Sequence, residues 1–112
     1  MPHKSAKYLF DIMESIVSIE NYLGENRDFV EYSRNKQLRR AVERELEIIG
    51  EALNNLKKLD DTVEITFYRQ IIGLRNQIIH RYDNIDNETI WGILMKHLPI
   101  LKIEIENLIN TK

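Results

Sequence analysis

The chain has 112 residues and a formal net charge of −2, and this composition excludes several classes of protein. Hydrophobic residues make up 43% and charged residues 30%, and no apolar run approaches the roughly 20 residues of a membrane span. Without cysteine there are no disulfides or thiolate metal sites, and three dispersed histidines lack the spacing of a zinc motif. The mild acidity does not suggest a general nucleic-acid binder, although a local cleft could still take RNA.

The sequence also predicts the cellular compartment and the domain organisation of the chain. The N-terminus has basic residues but no long apolar core, so a secretory signal is not expected. The length corresponds to one domain over residues 1–112. We therefore expect a soluble cytoplasmic domain with no cofactor or metal, and with neither membrane nor DNA as a partner.

The first predicted helix covers residues 5–23 and has apolar side chains at the helical period, at Leu9, Ile12, Ile16, Ile19 and Leu23. Ser5 is the predicted N-cap, and Gly24 is expected to supply the left-handed turn that ends the helix. Residues 25–35 are polar and form a predicted connector, with room for one helical turn around Phe29 and Val30.

Three further helices are predicted along the rest of the chain. Residues 36–59 carry apolar side chains three and four apart and end at the pair Asp60-Asp61. Residues 64–80 form the third long helix and residues 87–109 the fourth, with Asp86 or Asn87 as its cap. Pro99 should bend this last helix or divide it. The pattern predicts an all-α, up-and-down bundle of four or five helices.

The apolar stripes of the long helices are wider than one small bundle needs. The last helix is apolar around much of its circumference, over I-W-G-I-L-M-K-H-L-P-I-L-K-I-E-I-E-N-L-I. A homodimer would cover this surplus surface, and a tightly packed monomer is the alternative.

Polar residues interrupt the third predicted helix in the segment R-N-Q-I-I-H-R-Y, residues 75–82. Its apolar face carries Ile71, Ile72, Leu74, Ile78 and Ile79. Asn76 and His80, four residues apart, share the opposite side, whereas Arg75 projects into the apolar face about 140° from His80. A buried guanidinium keeps its charge and needs an anion beside it, and Glu51 in I-I-G-E-A is one candidate.

Each polar residue of this segment also has an ordinary structural explanation. His80 can interact with the helix dipole, Arg75 can form a buried salt bridge, and Tyr82 can fill the edge of the core. Together, however, arginine, asparagine and histidine are what phosphodiester cleavage needs without a metal. They supply a base for the 2′-hydroxyl, a cation for the phosphorane charge and a polar group that orients them. The combination favours a ribonuclease site.

The segment resembles the signature of HEPN-superfamily ribonucleases, in which an arginine and a polar residue precede a histidine. Tyr82, two places after His80, makes it similar to the HepT toxins, the partners of MntA-type nucleotidyltransferase antitoxins. The resemblance extends to R-R-A-V-E-R-E-L-E-I-I-G-E-A-L-N-N-L, which is similar to the long central helix of that family, and to I-I-G-L-R-N-Q-I-I-H-R-Y-D-N-I-D, which is similar to its active-site helix. This implies a HEPN-like helical bundle that forms a homodimer.

The resemblance also implies roles for individual residues. His80 would be the catalytic acid and base, Arg75 would bind the scissile phosphate, and Asn76 would position the two. Tyr82 would receive adenylyl groups from the antitoxin, and the added bulk and negative charge would obstruct an RNA phosphate. The expected activity is metal-independent endoribonuclease cleavage of tRNA or mRNA through attack by the 2′-hydroxyl. The chain does not decide between these two RNA targets.

Two alternatives to a ribonuclease toxin stay open at this point. One is a noncatalytic helical dimer that binds a nucleotidyltransferase partner or a nucleotide, which the acidic pI favours slightly. The other is a purely structural bundle in which Glu51 neutralises Arg75. The richest basic stretch, Arg34, Lys36, Arg39, Arg40 and Arg44, could flank an RNA path. Interleaved glutamates at helical spacing favour a solvated, ion-paired face instead.

Overall fold

A computed structural model describes residues 3–80 and 86–111 of the chain, and helices account for most of them. The helices are α1 His3–Leu23, α2 Phe29–Arg34, α3 Lys36–Leu59, α4 Tyr68–Ile79, α5 Asn87–Gly92 and α6 Leu98–Asn110. A π-helical turn, Ile93–His97, joins α5 to α6. The described residues contain no strand. The predicted all-α bundle is confirmed, whereas the homodimer stays a prediction.

The bundle is organised around α1 and α3, which run antiparallel. Tyr22, late in α1, donates a 3.1 Å hydrogen bond to the Glu45 carboxylate early in α3. Tyr8, early in α1, and Asn55, late in α3, line one groove between the two helices. On the other sides, α6 packs against α1 and α4 packs against α3. Lys102 of α6 and Glu20 of α1 form an ion pair of 3.0 Å. The fourth helix, α4, therefore depends chiefly on α3 for its position.

The core lies between these helices and contains the residues that the apolar periods indicate. Leu9, Ile12, Ile16 and Ile19 of α1 are buried, as are Val42, Leu46, Ile49, Leu53 and Leu56 of α3. Burial of such side chains is the main favourable contribution to folding. Gly24 follows α1 with a φ of 70°, the left-handed conformation that glycine adopts at helix ends. Within the described residues, no helix is long and apolar enough to cross a bilayer.

The predicted cap at Ser5 is wrong because α1 includes this residue. Ser5 is fully buried on the face that also carries Leu9 and Ile12, one and two turns further on. The predicted connector forms α2, whose N-cap Asp28 accepts hydrogen bonds from Val30 and Glu31 amides. Asp86 caps α5 in the predicted way, by accepting a hydrogen bond from the Glu88 amide.

The third predicted helix begins four residues later than expected, at Tyr68. The preceding segment is held against α6, because the amide and hydroxyl of Thr66 both donate to the Glu104 carboxylate. Val63 is buried in the core at the start of this segment. A tertiary contact therefore competes with helix formation here, and a residue-by-residue pattern does not contain that contact.

Pro99 divides the last helix, as predicted, and it does so through the π-helical turn before it. Proline has no amide hydrogen and its ring clashes with the carbonyl four residues earlier, so a regular α-helix cannot continue through it. The Leu98 amide instead donates to the Ile93 carbonyl, five residues back. The extra residue in this turn changes the rotation of α6 relative to α5, and Leu98, Leu101 and Ile105 are buried.

Candidate active site

The site is built on the contact between α3 and α4, which is unusually close at Gly50. An alanine Cβ at this position would lie 2.5 Å from Cγ of Arg75. Non-bonded carbon atoms prefer separations of about 3.5–4.0 Å, so only glycine fits here. The absence of a side chain at Gly50 gives the stem of Arg75 a seat against α3. Sequence reasoning did not identify Gly50, although a glycine inside a helix is a recognised signal of close backbone approach.

The guanidinium of Arg75 is held at both terminal nitrogens. Its Nη2 donates to the Glu51 carboxylate on α3, as the sequence had suggested, and its Nη1 donates to Oδ1 of Asn76 at 2.9 Å. The Arg75 side chain is 18% exposed and that of Glu51 is 53% exposed. The pair is therefore formally neutral, and one edge of it faces solvent.

Asn76 connects Arg75 to His80 through two different groups. The side-chain oxygen of Asn76 accepts from Arg75, and its backbone carbonyl accepts a 3.1 Å hydrogen bond from the His80 amide. His80 is the C-cap of α4, with φ −79° and ψ −2°, rather than an interior helical residue. The side chains of Asn76 and His80 are exposed. The structure thus brings Arg75, Asn76 and Glu51 together and leaves His80 at the helix end beside them.

The two faces predicted for α4 are present with one difference. Ile71 and Leu74 are buried and Ile78 is half-buried, but Ile79 is 39% exposed. Tyr82, the predicted modification site, lies outside the described residues. Chemically, the described part of the site supplies a fixed guanidinium, an amide and an imidazole on one helix turn and its cap.

A groove of about 330 Å³ borders the Glu51 side of the ion pair, between α1, α3 and α4. Tyr8, Ile48 and Ile79 give it an apolar lining, and Arg44, Glu47 and Glu51 give it charge. Arg44 forms an ion pair of 2.8 Å with Glu47, so the positive charge of Arg44 is neutralised by a carboxylate within the groove. The exposed edge of the Arg75–Glu51 pair is therefore next to a concave surface.

The basic stretch on α3 is partly neutralised on its own helix. Arg40 pairs with Glu43 at 3.1 Å and Arg44 pairs with Glu47, and both arginine side chains are more than 60% exposed. This is the solvated, ion-paired face that the interleaved glutamates favoured. Exposed pairs of this kind are weak, so these arginines can exchange their carboxylate partners for other anions.

His97 lies away from this site and packs against an aromatic ring. The His97 ring stacks on Phe67 with a centroid separation of 4.0 Å, a packing contact between the π-helical turn and the segment before α4. Among residues 3–80 and 86–111, no three histidine or acidic side chains are grouped as they would be around a metal ion.

Comparison with known proteins identifies the family. The family model described as Ribonuclease HepT-like matches residues 12–108. The Methanocaldococcus jannaschii protein "Putative RNase MJ1216" is 32% identical over 111 residues, which cover 97% of this chain and 91% of the relative. "Probable ribonuclease HepT" of Thermococcus cleftensis is 33% identical over 112 residues, with 96% and 98% covered. No solved structure matches the chain significantly. The chain belongs to the HepT-like ribonuclease family.

Proposed function

We propose that this protein is a metal-independent endoribonuclease and the toxin of a HepT/MntA-type toxin–antitoxin system. The observation that carries the proposal is the side-chain hydrogen bond from Arg75 to Asn76 on α4, with His80 at the C-cap of the same helix. This arrangement keeps a cation, an amide and an imidazole within one helix turn and its cap. Membership of a ribonuclease family supports the same chemistry.

Cleavage would proceed by transfer of the phosphate to the neighbouring 2′-hydroxyl. His80 takes the proton from the 2′-hydroxyl, and the freed oxygen attacks phosphorus. The protonated His80 then gives that proton to the leaving 5′-oxygen as its bond to phosphorus breaks. The products are a 2′,3′-cyclic phosphate and a 5′-hydroxyl. Arg75 stabilises the additional negative charge on the phosphorane oxygens, and Asn76 orients the guanidinium.

The proposal includes a homodimer and an antitoxin partner. Two copies of α4 facing one cleft would place two sets of Arg75 and His80 near one RNA strand, and sedimentation of the purified chain checks for the dimer. Adenylylation of Tyr82 by the nucleotidyltransferase antitoxin would add negative charge close to His80 and repel an incoming phosphate. The RNA target is a tRNA or an mRNA.

One observation favours the alternative of a noncatalytic dimer that binds a nucleotidyltransferase or a nucleotide. Arg75 already has a carboxylate partner and is largely covered, which is how a structural ion pair is arranged. In that case Arg75 would fix α4 against α3, and His80 would have no part in RNA cleavage.

The decisive experiment compares RNA cleavage by the wild-type protein, His80→Ala and Gln77→Ala. Gln77 is an exposed residue on the same helix and is the matched control. The proteins are purified without antitoxin or adenylyl groups, incubated with total cellular RNA in EDTA, and the fragment ends are identified. We expect cyclic-phosphate ends from the wild type and from Gln77→Ala, and a loss of at least about 100-fold in His80→Ala.

Folding must be measured alongside cleavage. His80 is exposed at a helix end, so its truncation removes little packing, and the melting temperatures of the three proteins should be similar. Equal cleavage by the wild type and a folded His80→Ala would refute the catalytic role and favour the noncatalytic dimer.

A further inference from the structure

The Arg75 guanidinium has five N–H donors, and two of them have partners in the structure. One on Nη2 donates to Glu51 and one on Nη1 donates to Asn76. The Nε is buried and has no hydrogen-bond partner within the described part of the chain. One N–H on each terminal nitrogen remains, and these two N–H groups can donate hydrogen bonds to phosphate oxygens. Their direction depends on the orientation of the guanidinium plane.

Two consecutive residues of α3 fix the orientation of the guanidinium plane. Gly50 leaves room for Cβ and Cγ of Arg75, so the stem lies directly against the α3 backbone. Glu51, the next residue, holds the far end of the side chain at Nη2. Arg75 is thus anchored at its base and at its tip by consecutive residues of one helix. Asn76 then sets the rotation about the guanidinium axis.

The exposure of Glu51 argues against stability as the main purpose of the pair. The Glu51 side chain is 53% exposed, so water screens its charge and limits what the pair contributes to folding, although the Arg75 side chain is only 18% exposed. A carboxylate on a phosphate-binding arginine also reduces the net positive charge of the site, which weakens attraction for RNA. An arrangement that adds little stability and reduces attraction is explained if it improves the orientation of the guanidinium.

We infer that Glu51 is a positioning residue for RNA cleavage, which acts by holding Arg75 in the orientation that stabilises the transition state. This inference rests on the proposed function. Glu51 itself does not contact RNA. Its carboxylate stays on Nη2 while the two remaining N–H groups meet the phosphate oxygens, so it changes the turnover rate more than the binding of substrate. Sub-ångström control of this kind is what oriented catalytic groups require.

The test uses Glu51→Ala, Glu51→Gln and a control, Glu20→Ala. The control removes the Glu20–Lys102 ion pair between α1 and α6, which also joins two helices but contributes no group to the candidate site. Cleavage of a defined RNA gives kcat and KM for each protein. Guanidinium NMR signals of Arg75, assigned by their loss in Arg75→Lys, report whether its terminal nitrogens are held. Melting temperatures control for folding.

We expect Glu51→Ala to lower kcat about 10- to 100-fold while KM changes by about twofold or less. Glu51→Gln keeps an acceptor at the same place and should recover part of kcat. The restrained Arg75 Nη signals of the wild type should average in Glu51→Ala and stay separate in Glu20→Ala. Glu20→Ala should cleave at the wild-type rate even if its melting temperature falls.

Three results would overturn the inference, and one of them also affects the proposed function. If Glu51→Ala retains the wild-type kcat, the carboxylate does not position Arg75, although the ribonuclease assignment stands. If Glu51→Ala cleaves faster than the wild type, the carboxylate restrains Arg75 instead of aiming it. If wild-type cleavage does not depend on His80, the proposed function fails and the role of Glu51 fails with it.

Discussion

Replacement of Gly50 by alanine tests the close contact that seats Arg75. The new Cβ would lie 2.5 Å from Cγ of Arg75 and would also overlap Cβ, which the α4 backbone holds in place. The overlap cannot be relieved by rotation of a flexible side-chain end. Instead, α4 must move away from α3 by about 1 Å or more to restore normal carbon–carbon separations.

The expected magnitude follows from two opposing terms. Overpacking of a well-packed contact costs about 1–3 kcal/mol, and the fixed position of the clashing atoms places Gly50→Ala near the upper value. Glycine to alanine inside a helix gains about 1 kcal/mol through backbone entropy. The net destabilisation is therefore about 2 kcal/mol. Gly73→Ala in α4 is the matched control, because its Cβ would meet no atom within 4 Å, so it should gain about 1 kcal/mol.

Urea unfolding followed by circular dichroism measures both variants against the wild type. All three are compared at one protein concentration, since the stability of a dimer depends on concentration. Unfolding midpoints should fall in the order Gly73→Ala, wild type, Gly50→Ala. If Gly50→Ala is as stable as Gly73→Ala, the contact between α3 and α4 is looser than the structure indicates. The tight packing of the Arg75 side chain against Gly50 would then be refuted.

Two further predictions concern tyrosines. Burial raises the pKa of Tyr32 above its ordinary value of 10.0, with a smaller contribution from Glu43, while Arg39 opposes the shift. Above pH 10 the Tyr32 hydroxyl loses its proton in the unfolded chain before it does so in the folded protein, so the free energy of unfolding falls as the pH rises. Urea unfolding below and above pH 10 should therefore show a smaller loss of stability for Tyr32→Phe than for the wild type. An equal loss in both proteins would contradict this prediction. With the cognate nucleotidyltransferase, ATP and magnesium, the wild type should gain adenylyl mass and Tyr82→Phe should not; equal labelling excludes Tyr82.

The helices were predictable where one periodic face meets one core. The bounds of α3 match the prediction because its apolar positions repeat without interruption, and Asn35 and Asp60 act as distinct caps. The start of α4 could not be predicted, because it depends on Thr66 bonding to Glu104, 38 residues away. The cap at Ser5 failed for a related reason, since its burial against the core outweighs the preference of serine for helix ends.

The ion pair at the candidate site was predictable from the sequence, whereas the close packing around it was not; the catalytic roles of Arg75, Asn76 and His80 stay predictions. Periodicity placed Arg75 on the inner face and Asn76 on the outer face, and the cost of an unpaired buried charge indicated Glu51 as the partner. The resemblance of residues 75–82 to HepT toxins gave the family, which the comparisons confirm. The seat at Gly50 was missed, because the pattern alone does not show which neighbouring atom approaches a helical glycine.

The arrangement of α4 has a consequence for how a complete site forms. Arg75 faces α3 under Glu51, while His80 is exposed at the end of α4. In one chain, the positions of Arg75 and His80 therefore lie about 140° apart around the axis of an ideal helix. Two copies of α4 across a shared cleft would supply the guanidinium and the imidazole from opposite sides of the RNA. The division of polar groups between two faces of one helix is thus a physical reason to expect that the proposed site needs a second chain.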